Sequence, residues 1–167
     1  RSALVMELAR VMSRFSFDHT IVFLLTIAEE QGLDGAQAFA SYAQQHGIKI
    51  KAVLNNDVVG GIYCGHTSSP PGCPGYLAID STHVRLFSNG GYNSPHKGLV
   101  RYMKLQYNEM IRPITAVPMG INIMTPEDRS GRGGDHIPFR QMGYTSIRLT
   151  AQNESGDADV SDPGYAD

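Results

Sequence analysis

Long apolar runs are missing from this sequence. No stretch approaches the ~20 consecutive apolar residues that a bilayer-spanning helix needs. Charge of one sign is scarce as well. Lys and Arg number 14 against 16 Asp and Glu, a formal net charge of −2. That balance gives no electrostatic case for nucleic acid or an anionic membrane as partner. Cysteine is limited to Cys64 and Cys73, and two thiols cannot build a four-thiolate zinc site. There is no internal repeat and no composition shift that marks a second domain. No secretory leader is visible, but the chain opens on Arg1 directly into a helical pattern, so an upstream segment is expected to have been removed.

What is present is ordinary globular material: 167 residues, 41% hydrophobic and 18% charged, enough for one domain with a sizeable core. In "SALVMELARVMSRF", residues Leu4, Val5, Leu8, Val11, Met12 and Phe15 recur at helical spacing and predict an amphipathic helix. "TIVFLLTI", residues 20–27, is short, continuously apolar and partly β-branched, and reads as a buried strand. "GAQAFASYAQQHG" reads as a helix stopped by Gly47. The run from residue 48 reads as a second strand ending near Asn55. "HVRLFSN" and "TSIRLTA" are further strands, "AVPMGINIMT" is a strand or extended segment, and "HKGLVRYMKLQYNEMIR" is a strong helix with Leu99, Met103, Tyr107 and Met110 on one face. Residues 64–80, the polar "PEDRSGRGGDH" and the acidic tail from Asn153 read as irregular. Alternating helices and strands imply an α/β sheet with crossover helices. Cys64 and Cys73 bracket a Gly/Pro-rich loop; either they close it as a disulfide, which implies an oxidising compartment, or they are two free thiols.

In open α/β sheets, ligands bind beyond the carboxyl ends of the strands. Glu29 and Glu30 follow the first predicted strand, Asp57 follows the second, and Asp135 and His136 lead toward the last. If these strands are parallel neighbours, carboxylates and an imidazole converge on one rim. Crowded carboxylates repel unless a cation compensates, and zinc accepts such ligands at about 2.0–2.2 Å. The competing reading is a set of solvated carboxylates, the glutamate pair being favoured by the positive end of the helix that follows. His46, His66, His83 and His96 lack motif context and read as surface residues. Phe139, Met142 and Tyr144 suit either a side-chain pocket or the core, and Arg129 and Arg132 belong to a charged loop.

The motifs carry more than their spacing. "AEEQGLDGAQAFA" resembles the Glu-Glu-x-Gly-Leu-x-Gly-Ser segment of the co-catalytic zinc aminopeptidases, a family that includes bacterial leucyl aminopeptidases and aminopeptidase Y, with glutamate carboxypeptidase and glutaminyl cyclase as relatives. "VLNNDVVGG" resembles the family's Asn-x-Asp-Met-x-Gly segment, and "GGDHIPFRQMGYTSIRLT" its Ser-Asp-His segment. "SALVMELARVM" is similar to the helix that follows its Asp-Asp-Asn-x-Ser-Gly segment. All come in the family's order. The resemblance implies a three-layer α/β/α domain with a mixed, mostly parallel sheet. It implies Glu29 as general acid/base, Glu30 and His136 as ligands of one zinc, Asp57 as a ligand of the other, and Asp135 beside the histidine, placed to orient it. It further implies peptide N-termini as substrate and a secreted or periplasmic location.

The departures are specific. Gly134 stands where the family has Ser, and Ala36 where Gly-Ser is usual. Two family ligands, a His and a bridging Asp, belong to segments upstream of Arg1, and the family continues beyond "DPGYAD". The expectation is therefore a single peptidase domain lacking its N-terminal part and its C-terminal end. An inactive relative serving as a binding domain, and cyclase or carboxypeptidase chemistry on the same fold, are the alternatives.

Overall fold

A computed structural model describes residues 2–65 and 74–153. Four strands form one sheet in the order β1-β4-β2-β3: β1 (Val53–Asn56), β2 (His83–Ser88), β3 (Gly120–Ile123) and β4 (Ser146–Ala151). β1 runs parallel to β4 and β2 parallel to β3, while β4 and β2 are antiparallel. The α-helices are α1 (Ser2–Met12), α2 (Asp34–Gln45), α3 (Pro95–Gln106) and α4 (His136–Gln141).

Side-chain alternation along β4 explains the layering. Ile147 and Leu149 join Leu86, Ile121, Ile123 and the α3 residues Leu99, Val100 and Met103 in one apolar cluster. Ser146, Arg148 and Thr150 point to the opposite face. There α2 and α4 build the second cluster, in which Ala36, Ala40 and Phe139 contact Leu24, Phe39, Val53, Met142 and Tyr144. Helices thus cover both faces of a mixed sheet, the three-layer α/β/α arrangement. Phe139, Met142 and Tyr144 are core residues.

Local chemistry sets the helix ends. Gly47 (φ 63°) closes α2: its N–H donates to Gln44 O at 3.2 Å, and Ile48 N–H donates to Ala43 O at 2.9 Å, the paired bonds of a glycine-terminated helix. Ser94 caps α3, its hydroxyl accepting from Lys97 N–H at 3.1 Å with Pro95 at the first turn. The predicted helix through Arg112 does not stay regular. A π-helical turn (Tyr107–Ile111) and a 3₁₀ turn (Arg112–Ile114) follow α3. The wider turn rotates later residues off the apolar face, so Met110 is exposed.

The predicted strand over residues 20–27 is a correction. Among the described residues it makes no strand ladder, and Val22, Leu25 and Ile27 are exposed. Its apolar character is real, but β1 is the terminal strand of the sheet, and among the described residues its outer edge makes no ladder with this segment. Leu24 alone of this run reaches the α2–α4 cluster. The same lack of cover affects α1, which forms as expected yet buries none of its residues. Cys64 is buried and disulfide-bonded; its expected partner Cys73, His66 and the tail from residue 154 lie outside the described residues.

Candidate metal-binding site

β1 carries the first site residues. Val53, Asn55 and Asp57 alternate toward the α4 face, and Asp57 N–H donates to Leu149 O at 3.0 Å, which extends the β1–β4 pairing by one step. Asp57 is buried. His136 opens α4 with no exposed surface, and its carbonyl accepts from the Ser146 hydroxyl at 2.7 Å, which fixes the helix start over β4.

Gly134 shows how these groups meet. A Cβ at this position would lie 3.2 Å from Asn55 Nδ2, 3.2 Å from His136 Nδ1 and 3.4 Å from Asp57 Oδ2. The carboxylate, the amide and the imidazole therefore face one small space that glycine leaves open. His136 Nε2 stands 3.2 Å from Glu127 O. That carbonyl can only accept, so the ring proton sits on Nε2. The Nδ1 lone pair is then directed at the shared space, and Nδ1 is buried without a hydrogen-bond partner. Burial holds the imidazole pKa below its ordinary value; Asp128 opposes this. A neutral ring with one N–H bonded to a carbonyl and the other nitrogen open is how histidine is set up as a metal ligand.

The glutamate pair sits in a turn ahead of α2. Leu33 N–H donates to Glu29 O, Asp34 N–H to Ala28 O and Gly35 N–H to Ile27 O, at 2.9–3.1 Å. The otherwise orphaned first N–H groups of α2 thus clamp the turn. Glu29 is half-buried and Glu30 exposed. Both flanks touch the loop before His136: the Thr26 hydroxyl donates to Asp135 Oδ2, and Leu33 Cδ1 comes within 4.0 Å of where a Gly133 Cβ would stand. Ala28 (φ 56°) and Val58 (φ 48°), neighbours of Glu29 and Asp57, hold positive φ without being glycine. Such strain costs about 1–3 kcal/mol per residue and collects at functional sites. Val58 is held by its carbonyl, which accepts from Ala151 N–H at 3.0 Å and Thr150 Oγ1 at 2.9 Å.

The structure brings Asp57 and His136 together and does not bring Glu30 into their group. Among the described residues no three His, Cys, Asp or Glu side chains gather as a metal-binding set. The glutamate turn is anchored to α2 and, through Thr26 and Asp135, to the loop before His136. Asp135 bonds Thr26, while the Asp128 carboxylate lies 3.8 Å from Nε2. Two residues escaped the sequence reading altogether. Arg148 is fully buried, and it pairs with Asp57 (Nη2–Oδ2 3.2 Å) and with Asp128. The β1–β4 register puts Arg148 opposite Asn55, a placement that the sequence alone does not carry. The loop 126–135 is also far from loose. Glu127 holds Arg140 through two bonds of 2.6 and 3.0 Å and accepts from Asn89 at 2.9 Å. Lys97 Nζ donates to Met124 O and Thr125 O at 2.7 and 2.9 Å. Arg129, expected in a flexible charged loop, is buried beside Asp128.

A carboxylate and an imidazole thus face one space on one side of an α/β/α sheet. Known proteins share parts of this chain. The profile of peptidase family M28 matches residues 2–66. A probable zinc metalloprotease of Phaeosphaeria nodorum is 32% identical over 160 residues, covering 91% of this chain and 31% of the relative. One from Leptosphaeria maculans is 31% identical over 164 residues, covering 93% and 37% respectively. The solved aminopeptidase from Aneurinibacillus sp. strain AM-1 shares the fold at a TM-score of 0.57 and 18% identity, over 92% of this chain and 30% of that one. The chain is therefore similar to peptidase family M28 in residues 2–66 and to zinc metalloproteases over most of its length. It spans about a third of the length of the curated relatives it matches.

Proposed function

We propose that this chain is part of a zinc-dependent exopeptidase, an aminopeptidase that removes N-terminal residues from peptides. The observation that carries the reading is the open Nδ1 of a buried, neutral His136 facing the same space as Asp57. That donor pair fits zinc, and the relatives are named zinc metalloproteases. Asp57 and His136 would hold the metal, and Glu30, which lies outside their group, would have to move toward them to serve as the third donor of this chain. Bound there, zinc would supply Lewis acidity toward a scissile carbonyl and a water molecule. Glu29 takes that water's proton and returns it to the leaving amine, a task suited to a half-buried carboxylate on a clamped turn. The disulfide-bonded Cys64 supports an oxidising, secreted or periplasmic setting.

The test offers the protein three substrates: an aminoacyl-arylamide, a peptide with C-terminal glutamate and a peptide with N-terminal glutamine. Turnover of the first, lost with a chelator and restored by zinc, is expected. Turnover of only the second or third would replace the aminopeptidase reading with carboxypeptidase or cyclase chemistry.

A further inference from the structure

We infer that Arg148 is a built-in counter-cation that holds the metal-site carboxylate Asp57 and has to release it when a metal binds. The inference rests on the zinc site proposed above. Arg148 lies opposite Asn55 in the β1–β4 register, so its side chain emerges beside Asp57. It has no exposed surface. A guanidinium stays charged wherever it is placed, and its burial is tolerated only with anions at hand.

Those anions are Asp57 and Asp128, and the two are held differently. Nη1 donates a hydrogen bond to Asp128 Oδ1, and a second, longer one of 3.5 Å to Gly133 O. Asp128 is itself secured, by Arg129 N–H at 2.7 Å and Arg129 Nε at 3.5 Å. Toward Asp57, Nη2 lies 3.2 Å from Oδ2 as an ion pair, yet Nη2 and Nε make no hydrogen bond. The Asp128 arm is the anchor and the Asp57 arm is the one poised to let go. The same Asp57 Oδ2 faces the space shared with His136 Nδ1. A divalent cation there would take the carboxylate from Arg148 and place like charges a few ångströms apart in a poorly solvated interior. Arg148 therefore stabilises the metal-free protein and weakens its hold on metal.

Zinc affinity of the whole protein, measured by competition with a chromophoric chelator, tests this because the sign separates the possibilities. Arg148→Gln should bind zinc about tenfold or more tightly than wild type, while its zinc-free form melts earlier. Arg148→Lys, which keeps the charge, should stay within about threefold of wild type. A purely structural arginine predicts the reverse, since its loss would loosen the site: equal or weaker zinc binding by Arg148→Gln overturns the inference. Should Arg148→Gln not fold, the wild type decides. Zinc should shift the Arg148 side-chain Nε resonance in a nitrogen-15 spectrum, and an unmoved resonance at saturating zinc overturns the inference. Wild type and Arg148→Gln both failing to bind zinc would refute the zinc site itself, and this inference with it. Equal binding by both refutes the role of Arg148 alone.

Discussion

Replacing Gly35 with alanine sets two physical effects against each other. Gly35 lies in the first turn of α2. On helix propensity alone, Gly→Ala should stabilise by about 0.5–1 kcal/mol. A Cβ at Gly35, however, would meet Ile27 O at 2.6 Å and Ile27 N at 2.7 Å. Those are backbone atoms, which cannot swing aside as a side chain would. Gly35 N–H also donates to Ile27 O at 3.1 Å, so opening the gap stretches that bond. Overpacking costs typically about 1–3 kcal/mol and a weakened hydrogen bond about 0.5–1.5. Set against the propensity gain, the net is roughly 1–3 kcal/mol of destabilisation. For a domain of this size that lowers the melting temperature by roughly 3–10 °C. The displaced backbone carries Glu29 and Glu30, so peptidase activity should fall as well. Gly98→Ala is the control: it sits within α3 with nothing within 4 Å of the added Cβ, and should melt higher by roughly 1–4 °C. Thermal unfolding of both variants decides. An unchanged or raised melting temperature for Gly35→Ala would refute the clamp between α2 and the glutamate turn.

Other expectations follow from single contacts. Ser94→Ala removes the α3 cap and should cost about 1 kcal/mol, read as a lower urea midpoint; an unchanged midpoint would count against the cap. Burial holds the Lys97 pKa below its ordinary value of 10.5, with Glu127 opposing. Between the folded pKa and 10.5 the unfolded chain then holds more protons, so this group's contribution to stability rises with pH. The wild-type urea midpoint minus that of Lys97→Met should grow from pH 8 to pH 10; a constant or shrinking difference contradicts the assignment.

The sequence was most legible where periodicity and local chemistry agreed. The Gly47 stop, the Leu99–Met103 face and the four sheet strands are places where backbone preference and burial point the same way. Residues 20–27 misled because composition measures how well a segment suits burial, not whether its backbone joins a ladder. The site was legible in Asp57 and His136, whose residue types belong to an ordered motif. Arg148 and Asp128 were illegible because their meaning is tertiary. An arginine in a strand reads as solvent-facing until register places it between two aspartates. The short helix α4 begins inside a Gly-rich run and escaped for a similar reason: its six residues are held by Ser146 and the Phe139 contacts, not by propensity.

Glu29 and Glu30 have separate tasks in the proposed reaction, and one variant tests that division directly. Glu29→Ala, assayed in the whole protein on an aminoacyl-arylamide with zinc content measured in parallel, should lose activity by about 100-fold or more while its zinc content matches wild type. Retained hydrolysis by Glu29→Ala at unchanged zinc content would contradict the assignment.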